Sequence, residues 1–171
     1  MSATRRVRRR SPSRAHRASG VRLELQRRVR AWSPAPADLA RWASAALGRS
    51  AAGREIGVCM VGNAESARLN ARFRGRDRPT NVLSFAAPRL PRGARASTAQ
   101  PLGELVICPR VLEAEARAQD KTLRAHWAHL VVHGTLHLAG YDHVRAADAR
   151  RMERREIAVL RRLGFANPYR S

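Results

Sequence analysis

Lysine is almost missing from this chain. Lys121 is the single lysine among 34 basic residues, and all the others are arginine. So lopsided a ratio reflects the nucleotide composition of a genome, and the arginine count itself carries little functional information. The sign of the charge carries more. Only 13 acidic residues oppose the basic ones, the net charge is +21, and a chain this basic suits polyanions, of which nucleic acid is the commonest. Cysteine is nearly as scarce. Cys59 and Cys108 each sit in an aliphatic run, GVCMV and LVICP, and read as buried, reduced thiols. Neither has the close spacing of a zinc thiolate site. Long apolar runs are lacking too: none reaches the ~18 residues of a membrane helix. The first residues lack the apolar middle segment of a secretory signal. The expectation is a soluble, cytoplasmic protein that makes no use of a membrane. No internal repeat is visible.

The 171 residues, 44% of them hydrophobic, suffice for one domain with a real core and a tail. Residues 1–19, MSATRRVRRRSPSRAHRAS, hold seven arginines and no acid, with one valine as the only sizeable aliphatic side chain. Such a segment buries too little to offset its ordering entropy, so a disordered basic tail is expected there, with residues 20–171 as the single domain. Removing those seven charges from +21 still leaves +14.

Within the domain, VRLELQ (21–26) alternates like a strand, and EIGVCMV (55–61), TNVLSF (80–85) and LGELVICP (102–109) read as three more. SPAPADLARWASAALGR reads as a helix capped by Asp38, with Leu39, Trp42, Ala46 and Leu47 as its apolar stripe. NAESARLNARFR (63–74) opens on a capping Asn63. VLEAEARAQ and AADARRMERREIAVLRRLG are two further helices. The segment AAPRLPRGARASTAQP between the third and fourth strands reads as a mobile surface loop. The longest apolar helix starts at Leu123 and stops at Gly140. It is apolar nearly all round, which marks it as the central element. The expected fold is α+β: a small mixed β-sheet of about four strands packed with about five helices around that central helix.

Five of the chain's six histidines fall between residues 126 and 143, in HWAHLVVHGTLHLAGYDH. His133 and His137 are four apart, which places both imidazoles on one helix face, about 6 Å apart along the axis. Gly140 then breaks the helix, and His143 can swing back as a third ligand. The pattern H-x-x-x-H-x-x-G-x-x-H has the ligand spacing of metzincin proteases. Three neutral imidazoles with no fourth protein ligand suit a catalytic zinc site, one ion per chain. The protease's glutamate base is replaced here by Gly134, which argues against proteolysis. His126 shares the face of His133 but lies about 10 Å along the axis, too far to share an ion, and could line the cleft. His129 points about 60° away from the ligand face. Asp142 stands either as an acceptor orienting a ligand or as an ordinary turn residue.

A second stretch, RFRGRDRPTNVLSF (72–85), sets Arg72, Arg74, Arg76 and Arg78 around a glycine, followed by Thr80, Asn81 and Ser84 at the mouth of a strand. A basic loop beside a metal suits phosphate, because the guanidinium fork grips two oxygens. LNARFRGRDRPTNVLSF, GELVICPRVLEAEA and AHWAHLVVHGTLHLAGYDH together resemble the YbeY endoribonucleases, bacterial rRNA maturation factors. The resemblance covers roughly residues 55–165 and includes Met152 and Glu156 on the last helix. It implies a zinc-dependent endonuclease for single-stranded RNA, acting with the small ribosomal subunit in late 16S rRNA 3′-end maturation and ribosome quality control. It places the metal ligands on His133, His137 and His143 and a functional arginine on Arg74. Arg72, Arg76, Thr80, Asn81, Ser84, His126 and Asp142 are candidates for the RNA cleft or for supporting a ligand. Glu104 departs from the family's usual aspartate but keeps the carboxylate. The alternative is a non-catalytic ribosome-assembly factor that binds RNA and uses the metal only to fasten His143 to the helix.

Overall fold

The computed structural model describes residues 20–88, 100–141 and 145–170. The expected tail (1–19), most of the expected surface loop, Asp142 and His143 lie outside the described residues. The elements run β1 (Arg22–Arg27), α1 (Pro36–Leu47), a short 3-10 turn (Gly48–Ala51), β2 (Arg54–Met60), α2 (Asn63–Arg74), β3 (Val82–Ala86), β4 (Gln100–Ile107), α3 (Pro109–Ala118), α4 (Leu123–Leu138) and α5 (Ala146–Arg162). This is the α+β architecture expected, with four strands and five α-helices among the described residues.

The sheet order is β1-β2-β4-β3, with β1, β2 and β4 parallel and β3 antiparallel to β4. The two middle strands therefore carry the densest aliphatic runs, GVCM in β2 and LVI in β4, because both their faces are covered. β1 lies at the edge and alternates exposed with half-buried residues. One face of the sheet joins α1, α4 and α5 in a core that includes Trp42, Ile56, Leu105, Trp127, Leu136 and Leu160. Each such side chain, taken fully out of water, contributes about 1.5–3 kcal/mol. The other face carries a smaller cluster of Cys59, Val61, Leu83, Val106 and Cys108 under Leu69 and Val111. Both thiols are buried and free, as their aliphatic settings suggest.

Two helix starts differ from expectation. Asp38 is not the cap of α1: Ala35 occupies that position and Pro36 opens the helix. Proline at the first turn needs no hydrogen-bond donor and has its φ preset, so it moves the start back by a turn. Asp38 instead accepts from Arg124 of α4 at 2.9 and 3.0 Å. In α2, Gly62 is the cap and Asn63 is already helical, its Oδ1 3.3 Å from the Cys108 thiol. No helix among the described residues is long and apolar enough to cross a membrane.

α4 buries ten of its 16 residues, among them Trp127, Val131, Val132 and Leu136. Its start is capped by Thr122, whose hydroxyl accepts from the Ala125 amide at 3.2 Å. Its end is a Schellman turn: the Gly140 amide donates to the His137 carbonyl at 2.9 Å and the Tyr141 amide to that of Leu136 at 3.0 Å. Gly140 has φ +91°, a value that side-chain-bearing residues disfavour. A Cβ there would meet nothing within 4 Å, so the cost of replacing it is conformational alone. Gly140→Ala should therefore lower stability by about 1–2 kcal/mol in chemical denaturation. An unchanged midpoint would mean the turn after His137 is not held in this conformation.

Candidate metal centre and basic groove

A groove of about 250 Å³ opens where α2, β3, α4 and the C-terminal segment converge. Arg74, Asn81 and Ser84 reach it from the end of α2 and from the β3 strand and its approach. His129, His133 and His137 reach it from α4, and Tyr169 from the segment after α5. Five of the residues singled out in the 72–85 stretch and in the histidine run, namely Arg74, Asn81, Ser84, His133 and His137, thus meet in one place.

The histidine faces follow from helix geometry. His133 and His137 sit on consecutive turns with ring centroids 4.6 Å apart, and His129 stacks edge-on to His133 at 6.1 Å. Behind them lies Glu156 of α5, a carboxylate with no exposed surface. Its Oε1 is 2.6 Å from His133 Nδ1. Its Oε2 accepts the hydroxyl proton of Tyr169 and stands 3.4 Å from His129 Nε2, an ion-pair distance. Burial alone would raise the pKa of Glu156. The adjacent His129 and His133 imidazoles and the Tyr169 hydroxyl outweigh it and hold the carboxyl at about 2. Burial, together with the neighbouring Glu156 charge, pushes the Tyr169 phenol well up. Tyr169 therefore donates and Glu156 accepts throughout the neutral range.

Among the described residues, His129, His133 and Glu156 form the group that could hold a metal ion, their ligand atoms lying within 4.8 Å of one another. The contacts divide the labour within it. Two ligands of one tetrahedral ion with bonds of ~2.0 Å stand about 3.3 Å apart, so 2.6 Å between His133 Nδ1 and Glu156 is a hydrogen bond. An ionised carboxylate can only accept, which puts the His133 proton on Nδ1 and makes Nε2 the nitrogen able to coordinate. Carboxylate, imidazole and cation in that order are the usual arrangement at a histidine-held metal. The donor set fits a divalent ion of the zinc kind.

The basic stretch is held in place by polar groups on the inner face of α2. Buried Ser66 accepts from the Thr80 amide and donates to the Thr80 carbonyl, both at 2.9 Å, and Asn70 Nδ2 donates to the Arg78 carbonyl at 2.7 Å. Thr80 is thereby a half-buried anchor. Arg72, stacked on Phe73 at 5.3 Å, and Arg76 are exposed on the surface of this stretch. The polar i, i+4 pair Ser66–Asn70 was the available sign that α2 grips a loop.

Gly134, on the turn between the two histidines, explains the missing glutamate. A Cβ there would come within 2.7 Å of Leu105 Cδ2 and 3.1 Å of Ser84 Oγ. The helix lies so close to the sheet that a side chain there would force Leu105 and Ser84 to shift.

His126 is placed elsewhere. It is 3% exposed and its Nε2 lies 2.9 Å from Glu115 Oε2, which also accepts from Asn81 Nδ2 at 2.9 Å. This chain ties β3 to α3 and α4. Burial opposes ionisation of Glu115, but the bonds from His126 and Asn81 prevail and lower its pKa. Its contribution to stability is then complete above the ordinary value of 4.5 and is lost as pH falls through the lower, folded value. Glu115→Ala, which strands two donors, should cost about 1–3 kcal/mol at pH 7. The gap from the parent protein should narrow in strong acid, as measured by urea unfolding at both pH values.

A family model described as "YbeY: Endoribonuclease YbeY" matches residues 28–164. The chain is 49% identical over 150 residues to "Endoribonuclease YbeY" of Methylococcus capsulatus, covering 88% of this chain and 96% of that protein. It is 51% identical over 138 residues to the protein so named in Bordetella pertussis, covering 77% and 84%. The solution structure of TM1509 from Thermotoga maritima aligns at a TM-score of 0.48 with 24% identity, covering 88% of this chain and 99% of that one.

Proposed function

The chain belongs to the YbeY endoribonuclease family, and on that premise we propose that it is a zinc-dependent endoribonuclease cutting single-stranded RNA. Its place is late 16S rRNA 3′-end maturation and ribosome quality control, on the small ribosomal subunit in the cytoplasm. The observation that carries the reading is the pairing of His133, aligned by a buried carboxylate, with His137 one turn on, in the groove that Arg74 enters.

His133 and His137, joined by His143, hold the ion in this reading. A zinc ion so bound supplies Lewis acidity and a water acidified to a pKa of roughly 7. The chain's own groups do the rest. Arg74 grips the phosphate and offsets charge developing on its oxygens. Asn81 and Ser84, beside it, offer polar contacts to the substrate's backbone. Gly134 leaves no general base between the ligands, which removes peptide hydrolysis of the metzincin kind. The positive charge outside residues 1–19 provides affinity independent of sequence, and the seven arginines of residues 1–19 add to it.

Purified protein should cleave single-stranded RNA in preference to duplex, with activity falling steeply as salt rises. His137→Ala or chelation should lower cleavage by ~100-fold or more. Arg74→Glu should lower it by roughly 10²–10³-fold while metal content stays at one ion per chain. Parent and His137→Ala proteins of equal activity would identify a contaminating nuclease and leave a non-catalytic RNA-binding factor as the function. A chain beginning at Gly20 should keep its metal and its melting temperature, and should bind RNA more weakly with a shallower salt dependence. Unchanged affinity and slope would remove any role for the first 19 residues.

A further inference from the structure

The segment after α5 is anchored at a few points. Phe165 sets its ring edge-on against Trp42 at 5.7 Å, and Lys121 Nζ donates to the Pro168 carbonyl. Tyr169 follows, with its amide bonded to Asn167 Oδ1 at 3.0 Å and its ring edge-on to His129 at 5.5 Å. Between these anchors the segment is not packed down. A cavity of about 460 Å³ separates it from α4, bounded by Ala125, His126, Leu160, Phe165 and Pro168. The segment is thus placed by specific contacts more than by burial, and the most specific is the Tyr169 hydroxyl on Glu156.

Glu156 needs that contact. Its carboxylate is wholly enclosed, with one oxygen occupied by His133 Nδ1. Without Tyr169 the other oxygen would face, among the described residues, His129 Nε2 at 3.4 Å. A carboxylate held at one oxygen can rotate about its terminal bond, and His133 would turn with it. We propose that Tyr169 is a positioning residue: its hydroxyl fixes the Glu156 carboxylate and, through it, the Nδ1–H tautomer and ring orientation of His133. The role goes beyond the ligand set proposed above and rests on it only where zinc is concerned.

The test begins without metal. In ¹⁵N-labelled full-length protein stripped of metal, long-range ¹H–¹⁵N spectra of the imidazoles should show His133 as a single Nδ1–H tautomer. In Tyr169→Phe, which keeps the ring and loses only the hydroxyl, a population with the proton on Nε2 should appear. Zinc affinity measured against a chromogenic chelator should fall about 10-fold, the low end of what outer hydrogen-bond partners contribute. In a Glu156→Gln background the same substitution should change zinc affinity less than twofold, because the path from Tyr169 to His133 is already cut. An identical His133 tautomer in parent and Tyr169→Phe overturns the proposal, as does an equal loss of affinity in both backgrounds, which would mark a merely structural effect. If Glu156→Gln does not fold, the tautomer comparison decides alone. Failure of the parent protein to bind zinc would overturn the metal reading instead, and the metal-free spectra would still decide the role of Tyr169.

Discussion

The site depends on a negative charge kept where water does not reach. Glu156 is ionised although its side chain has no exposed surface. An isolated carboxylate so placed would protonate, because desolvation disfavours the charged form. The imidazoles of His129 and His133 and the hydroxyl of Tyr169 reverse that preference. The dependence runs both ways. The carboxylate settles which nitrogen of His133 carries the proton, and that settles which nitrogen can meet a cation. α5 is therefore more than a cover for the core, since one of its inward positions sets the chemistry of a residue on α4.

The same economy of space governs the other side of α4. The helix approaches β3 and β4 so closely at Gly134 that a methyl group would collide with Leu105. Close approach sets Ser84 beside the histidine face and brings Arg74 and Asn81 into one groove with it. It also removes the position from which a zinc protease draws its base. One packing constraint thus assembles the groove and limits what the groove can catalyse.

What could be read in the sequence, and what could not, divides by distance along the chain. His133, His137 and Gly140 lie within eight residues of one another, and helix periodicity alone relates them. The order of strands and helices was legible for the same reason. The errors at Asp38 and Asn63 are local competitions: both residues favour caps, but Pro36 and Gly62 took the starts. Glu156 is 23 residues from His133, and Tyr169 is 13 from Glu156. Helix periodicity does set Glu156, unlike Glu153, on the stripe of Met152, Val159 and Leu160, but it does not say which partners a buried carboxylate there would meet. The resemblance quoted Glu156 without a role, and only the packing of α5 on α4 supplies one. Tyr169 sits in a short polar terminal stretch with no periodicity to interpret. His129 was likewise set aside on its angle to the ligand face, since its neighbours Glu156 and Tyr169 come from elsewhere in the chain.

The arrangement also reconciles two charges that would otherwise conflict. A groove meant for a polyanion should show it no carboxylate, yet histidines that bind cations are best supported by one. Among the described residues, Glu115 and Glu156 stay out of the groove's lining and are occupied by inward-facing donors. Among the described residues, none that lines the groove is acidic. The groove presents Arg74, Asn81, Ser84 and imidazole edges. The negative charge reaches it through two imidazoles, His133 bonded to Oε1 and His129 at 3.4 Å from Oε2. Separating the layers lets a strongly basic chain keep a carboxylate at the heart of the site without presenting it to the ligand.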